Sequence, residues 1–82
     1  MNDRDLIGRE AWILIVNSET KWEPRRVIIR KVRPSKSNIL VKEYGVEYER
    51  VGRKYRTTIQ EKNVYRDKWT ATQIASHLNG EY

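Results

Sequence analysis

From Trp12 to Val16 the chain reads Trp-Ile-Leu-Ile-Val and is then closed by Asn17-Ser18. A short β-branched run with no polar position predicts a strand buried on both faces. Trp22 to Val32 reads as a second, longer strand, with Pro24 placing its start at an edge or a bulge. The polar turn Arg33 to Asn38 follows, and Ile39-Leu40-Val41-Lys42 is expected to return as a third strand. So short a loop suits an antiparallel hairpin and excludes a parallel crossover. Between Glu43 and Arg53 the pattern is weakest, with bends expected at Gly45 and Gly52. From Lys54 to Gln60 it alternates cleanly. Tyr55, Thr57 and Ile59 share one face, while Lys54, Arg56, Thr58 and Gln60 share the other. After a turn at Glu61 to Asn63, Val64-Tyr65 is read as a brief last strand.

The period changes at the C-terminal end. Thr70 and Gln73 have the spacing of a capping box, with Trp69 and Ile74 at the two staple positions, so a helix is expected over about 70–79. Ala71, Ile74, Ala75 and Leu78 form its apolar stripe, and Asn79-Gly80 its stop. On this pattern Trp12 and Trp69 belong to the core, and Trp22 is the tryptophan placed to be exposed.

Length then limits what the pattern can build. A chain of 82 residues has room for one domain, here 1–82, and buries only about 60 to 65% of its unfolded surface, which disfavours a deep enzyme cleft. There is no cysteine and one histidine, so neither a disulfide framework nor a zinc knuckle is available. No run approaches the length of a membrane span, and Met1 to Asp5 lacks the apolar region of a signal peptide. A soluble, cytoplasmic protein is expected, without cofactor or metal.

Charge changes the picture more than length does. The net charge is +6, and it is concentrated in the middle of the chain. Pro24 to Lys42 carries seven Lys or Arg and no Asp or Glu, threaded through Val27, Ile28, Ile29 and Val32. Those apolar residues make it a folded basic strand, not a basic tail. Ten of the seventeen cations are arginine, whose planar fork suits bidentate contact with phosphate.

Four or five short strands with turn signals about every ten residues, plus a terminal helix, predict a mainly β fold. It is expected to be a small antiparallel barrel or bent sheet of about 6–65 with the helix appended. In strand count and spacing over Leu6 to Tyr65 the chain resembles SH3-like barrels of the Tudor and KOW sort. It departs from the KOW pattern in its first loop, where Asn17-Ser18-Glu19-Thr20 lacks the expected glycine. An OB-like barrel is the nearest alternative, though it usually has longer strands. The resemblance implies a fold that binds nucleic acids or peptides, and it transfers no functional residue.

Two cationic stretches are the candidate site. One holds Arg25, Arg26, Arg30, Lys31, Arg33 and Lys36; the other holds Arg50, Arg53, Lys54 and Arg56. Strand pairing could bring them to one surface, with Tyr44 and Tyr48 among them to stack on unpaired bases. The plainer alternative is that Tyr55 is core and the charges only solvate a sheet face and guard its edges. A nucleic-acid-binding module is therefore expected, single-stranded or structured RNA ahead of DNA. The other reading is a protein-interaction module or inhibitor, of the type small phage or mobile-element genes encode, docking on an acidic protein by Trp22, Tyr44 and Tyr48. No enzyme is expected. His77 and Ser76 are helical neighbours that do not face each other, and the Glu43, Glu47 and Glu49 trio lies among arginines that oppose a metal cation.

Overall fold

Asn17 begins the fold's first reversal. Its side-chain oxygen accepts the backbone N–H groups of Glu19 (2.9 Å) and Lys21 (3.1 Å), and so turns β1 (Glu10–Val16) back into β2 (Trp22–Pro34). Thr20 completes this turn at φ 61°, a left-handed conformation that glycine takes more readily than a β-branched residue. The computed structural model describes residues 3–81; Met1, Asn2 and Tyr82, the ends of the expected domain, lie outside them.

The protein is mainly β: a four-stranded antiparallel open sheet in the order β1-β2-β3-β4, followed by one C-terminal α-helix. β3 spans Lys42–Arg50 and β4 Arg53–Gln60. β2 is thirteen residues long because it serves two partners. Trp22 to Ile28 pairs with β1, Ile28 to Pro34 pairs with β3, and the register shifts between Ile29 and Lys31. That bulge at Arg30 bends the sheet. Beyond β4, a 3-10 turn (Glu61–Asn63) carries the chain to Tyr65, which exchanges two 2.8 Å backbone hydrogen bonds with Trp12 on the free edge of β1. The expected last strand is thus one bridge long.

The concave face holds the core. Ala11, Ile13, Val27, Ile29, Tyr44 and Val46 are buried, with Leu6, Val32, Ile59 and Val64 packed around them. The helix α1 (Lys68–Leu78) packs instead against the opposite, convex face over β1 and β2, burying Ala71 and Ala75. The two layers explain why the Trp12 to Val16 run is apolar throughout. Ile13 faces the core, and Trp12 faces the helix side, where the Lys68 ammonium lies 5.7 Å from the ring centroid.

Three expectations are corrected. Ile39 and Leu40 do not open a strand; they sit in the β2–β3 loop at 81% and 89% exposure, and β3 begins at Lys42. Asn38 holds this loop by accepting the Leu40 N–H through its side chain and the Val41 N–H through its backbone, each at 3.0 Å. Second, Gly45 is not a bend but lies inside β3 opposite Lys31, where an added Cβ would come within 3.1 Å of the Lys31 Cβ. Gly52 does turn the chain.

Third, the helix is capped by Asp67 and not by Thr70. The Asp67 carboxylate accepts both the Thr70 N–H (2.7 Å) and its hydroxyl (3.1 Å), and this charged cap starts the helix at Lys68. Trp69 then stands two residues, or about 200° of helical rotation, from the buried Ala71. It is 71% exposed and not in the core. At the other end, Asn79 donates to the Trp22 carbonyl (2.8 Å) and accepts the Trp22 N–H (2.7 Å), clamping the helix to the start of β2.

Candidate nucleic-acid interface

Strand register assigns eight of the ten candidate cations to a face. Residues paired across antiparallel strands share a side, and neighbours along a strand alternate. Arg26, Lys31 and Arg33 of β2 and Lys54 and Arg56 of β4 fall on the convex face, the side opposite Val27, Ile29 and Val46. Arg30, the bulge residue, reaches the same side, since its Nε donates to Glu47 at 2.8 Å. Arg25 falls on the concave side, pairing with Glu23 at 3.2 Å, and its Nε is buried without a partner among the described residues. Arg50 and Arg53 face each other on the concave side next to the β3–β4 turn, and Lys36 is exposed in the β2–β3 loop. Six of the ten expected cations therefore share one surface, and four do not.

Between the two cationic rows runs an acidic one. Glu43, Glu47 and Glu49 of β3 occupy the convex face opposite Arg33, Arg56 and Lys54. Glu47 is the most engaged, its side chain 13% exposed, with Arg30 hydrogen-bonded to one oxygen and the Arg56 Nε 3.8 Å from the other. The Arg30 hydrogen bond, helped by the charges of Arg30, Arg56 and Lys54, holds the Glu47 carboxyl below its ordinary value despite partial desolvation. Arg33 lies 3.8 Å from Glu43, and Arg26 2.8 Å from Glu10. These carboxylates reduce the net charge of the face and also fix where the guanidinium groups sit. Each arginine keeps N–H donors for a further acceptor, because one carboxylate cannot satisfy all five.

Two depressions mark this face. Where β2 leaves β3 for β1, a cleft of about 490 Å³ opens, lined by Trp12, Arg26, Ile28, Arg30, Glu47 and Lys54 among others. Beside it, the missing side chain of Gly45 leaves a shallower hollow of about 290 Å³, lined by Arg30, Lys31, Arg56 and Thr58. Arg30 belongs to both. Trp12, read from the sequence as core, is thus half-buried at the edge of a cationic cleft. Its neighbourhood in an apolar run hid that role, and only its position opposite Arg26 in the β1–β2 register signals it.

The aromatic candidates disperse. Tyr44 is 7% exposed in the core and cannot stack on a ligand, because Gly45 and Val46 place it inward beside Ile59. Tyr48 is half-buried and stacks on Tyr55 at 5.6 Å between centroids; its register is concave, yet it also lines the cleft of about 490 Å³. Trp22 is exposed as expected, at the helix clamp. Among the described residues no group of three His, Cys, Asp or Glu is placed to hold a metal ion, and no helix is long and apolar enough to cross a membrane. No family model, curated protein or solved structure matches the chain.

Proposed function

We propose that this protein is a small nucleic-acid-binding module without catalytic activity, taking single-stranded or structured RNA ahead of DNA on its convex face. The observation that carries this reading is the Trp12 cleft: an indole and Ile28 beside Arg26, Arg30 and Lys54. An apolar ring face next to several cations suits one base with its flanking phosphates, at about 1 to 3 kcal/mol for each stacked base. The hollow at Gly45 continues the track with Lys31 and Arg56, whose charges suit a phosphate group. Arg33 extends it toward the β2–β3 loop, where Lys36 is exposed.

The path of the chain supports the reading at fold level. Four meandering strands, a 3-10 turn and a bridge back to β1 is the connectivity of SH3-like barrels, and we take the chain to be a variant of that plan with a helix on the convex side. The carboxylates of β3 favour unpaired bases over a duplex. They repel a second phosphate backbone but can accept hydrogen bonds from exposed base amino groups, as acidic side chains do from cytosine.

Anisotropy titrations with labelled single-stranded RNA, single-stranded DNA and duplex DNA at low salt test the proposal. Micromolar or tighter binding is expected, strongest for RNA, and weakened by Trp12→Leu and by Arg26→Glu. Absence of binding to all three overturns it.

A further inference from the structure

The outer edge of β4 is the least protected part of the sheet. β4 is the last strand in the order, and among the described residues no strand pairs with its far side. Exposed edges are usually blunted by a bulge, a proline, shortness or a covering element. β4 has none of the first three. It runs eight residues without Pro or Gly and pairs with β3 from Glu43↔Gln60 to Arg50↔Arg53 without a register break. Among the described residues its device is charge, since Arg53, Lys54 and Arg56 stand in its exposed half and the strand has no carboxylate.

That device is selective. A second copy adding antiparallel about Tyr55 would set Lys54 of each chain against Arg56 of the other, and like charges on facing strands destabilise pairing. An acidic strand meets the opposite situation. We propose that the β4 edge accepts an extended acidic peptide segment as a fifth strand, with backbone hydrogen bonds supplying affinity and side-chain alternation supplying specificity.

Register defines the partner. On the convex side the added strand meets Lys54, Arg56 and Thr58; on the concave side it meets Tyr55 and Thr57, with the Tyr48 ring stacked behind Tyr55. The fitting segment therefore carries Asp or Glu at alternate positions and β-branched or aromatic residues between, over about six residues, the usual strand length. This site shares Lys54 with the Trp12 cleft and Arg56 with the hollow at Gly45, but uses them through the strand edge. It stands or falls separately from the nucleic-acid reading, because its test contains no nucleic acid.

The test uses the whole protein and two synthetic hexapeptides of one composition, three Glu and three Val. In one they alternate, and in the other they form two blocks. Amide exchange and chemical shifts are followed by NMR at low salt. The alternating peptide is expected to bind roughly tenfold more tightly than the blocked isomer, the ratio two facing ion pairs at Lys54 and Arg56 supply, and to slow exchange of β4 amides. Equal affinity for the two peptides overturns the proposal, because it reduces the interaction to charge alone. So does failure of both to bind, or protection that spares β4. In Lys54→Glu, Arg56→Glu protein the preference is expected to pass to a peptide with alternating Lys, and retention of the acidic preference overturns the assignment to this edge.

Discussion

Val51 offers a perturbation whose sign can be worked from geometry alone. It is the first residue of the two-residue β3–β4 turn, at φ 51°, followed by Gly52 at φ 73°. Both residues are left-handed, as in the type I′ turn that suits the twist of antiparallel strands. Glycine takes this conformation freely, but a residue with a Cβ loses about 1 to 2 kcal/mol there, and a β-branched one is an outlier. The Val51 side chain is 95% exposed, so its removal gives up no packing. Val51→Asn, which creates the Asn-Gly pair preferred in such turns, should therefore stabilise the protein by about 1 kcal/mol. In a domain of this size that raises Tm by about 4 to 8 °C. Thermal and urea melts followed by circular dichroism measure it, the urea midpoint rising at unchanged m-value. Val51→Ala serves as control and should gain less, since it removes the branch but keeps the Cβ. A Tm that falls or stays level in Val51→Asn would refute the turn geometry and the strain assigned to it.

The other predictions concern the helix clamp, the acidic row and the first turn. Asn79→Ala removes both hydrogen bonds to Trp22 and should lower stability by about 1 to 2 kcal/mol, read in the same melts. Glu47 and Asp67 are both held below their ordinary values of 4.5 and 3.8, so each contributes stability that is complete above those values and is lost as pH falls through the lowered ones. The Tm difference between wild type and Glu47→Gln should accordingly be greatest near neutral pH and close on acidification; a difference that persists in acid would contradict the Arg30 pairing. Thr20→Gly should raise Tm, because φ 61° at Thr20 suits glycine better than a β-branched residue.

Much of this architecture is legible in the residues. The Trp12 to Val16 run reads as doubly buried because one face meets the core and the other meets the helix side. Tyr55, Thr57 and Ile59 alternate with Lys54, Arg56 and Thr58 as their faces demand. β3 is harder to read, although Tyr44, Val46 and Tyr48 also alternate with Glu43, Glu47 and Glu49. Gly45 resembles a turn, and Ile39-Leu40 is a better apolar pair than anything in the true strand. Those two residues are displayed by a loop, and apolarity alone cannot separate display from burial. The helix start is lost to a competition between two good caps, which the Asp67 carboxylate wins over the Thr70 hydroxyl.

The candidate site is legible in kind but not in arrangement. Neighbouring strand residues face opposite ways, which separates Arg25 from Arg26. A bulge cancels that rule at Arg30 and Lys31, putting both on the convex side, and nothing local announces it. The Trp22–Asn79 clamp joins residues fifty-seven positions apart. Trp12 becomes a candidate only once β1 and β2 are in register, whereas Tyr44 ceases to be one because its strand turns it inward.

The most direct test of the central claim is the salt dependence of single-stranded RNA binding, compared between wild type and the Arg30→Glu, Arg33→Glu variant. With Arg26, Arg30, Lys31, Arg33, Lys54 and Arg56 as the available phosphate contacts, the plot of log affinity against log salt should be linear and no steeper than about −4. Reversing two of them should flatten the slope by about 1.4 and weaken binding at every salt concentration. Binding insensitive to salt, or an unchanged slope in the variant, would contradict the assignment of the convex face as a nucleic-acid surface.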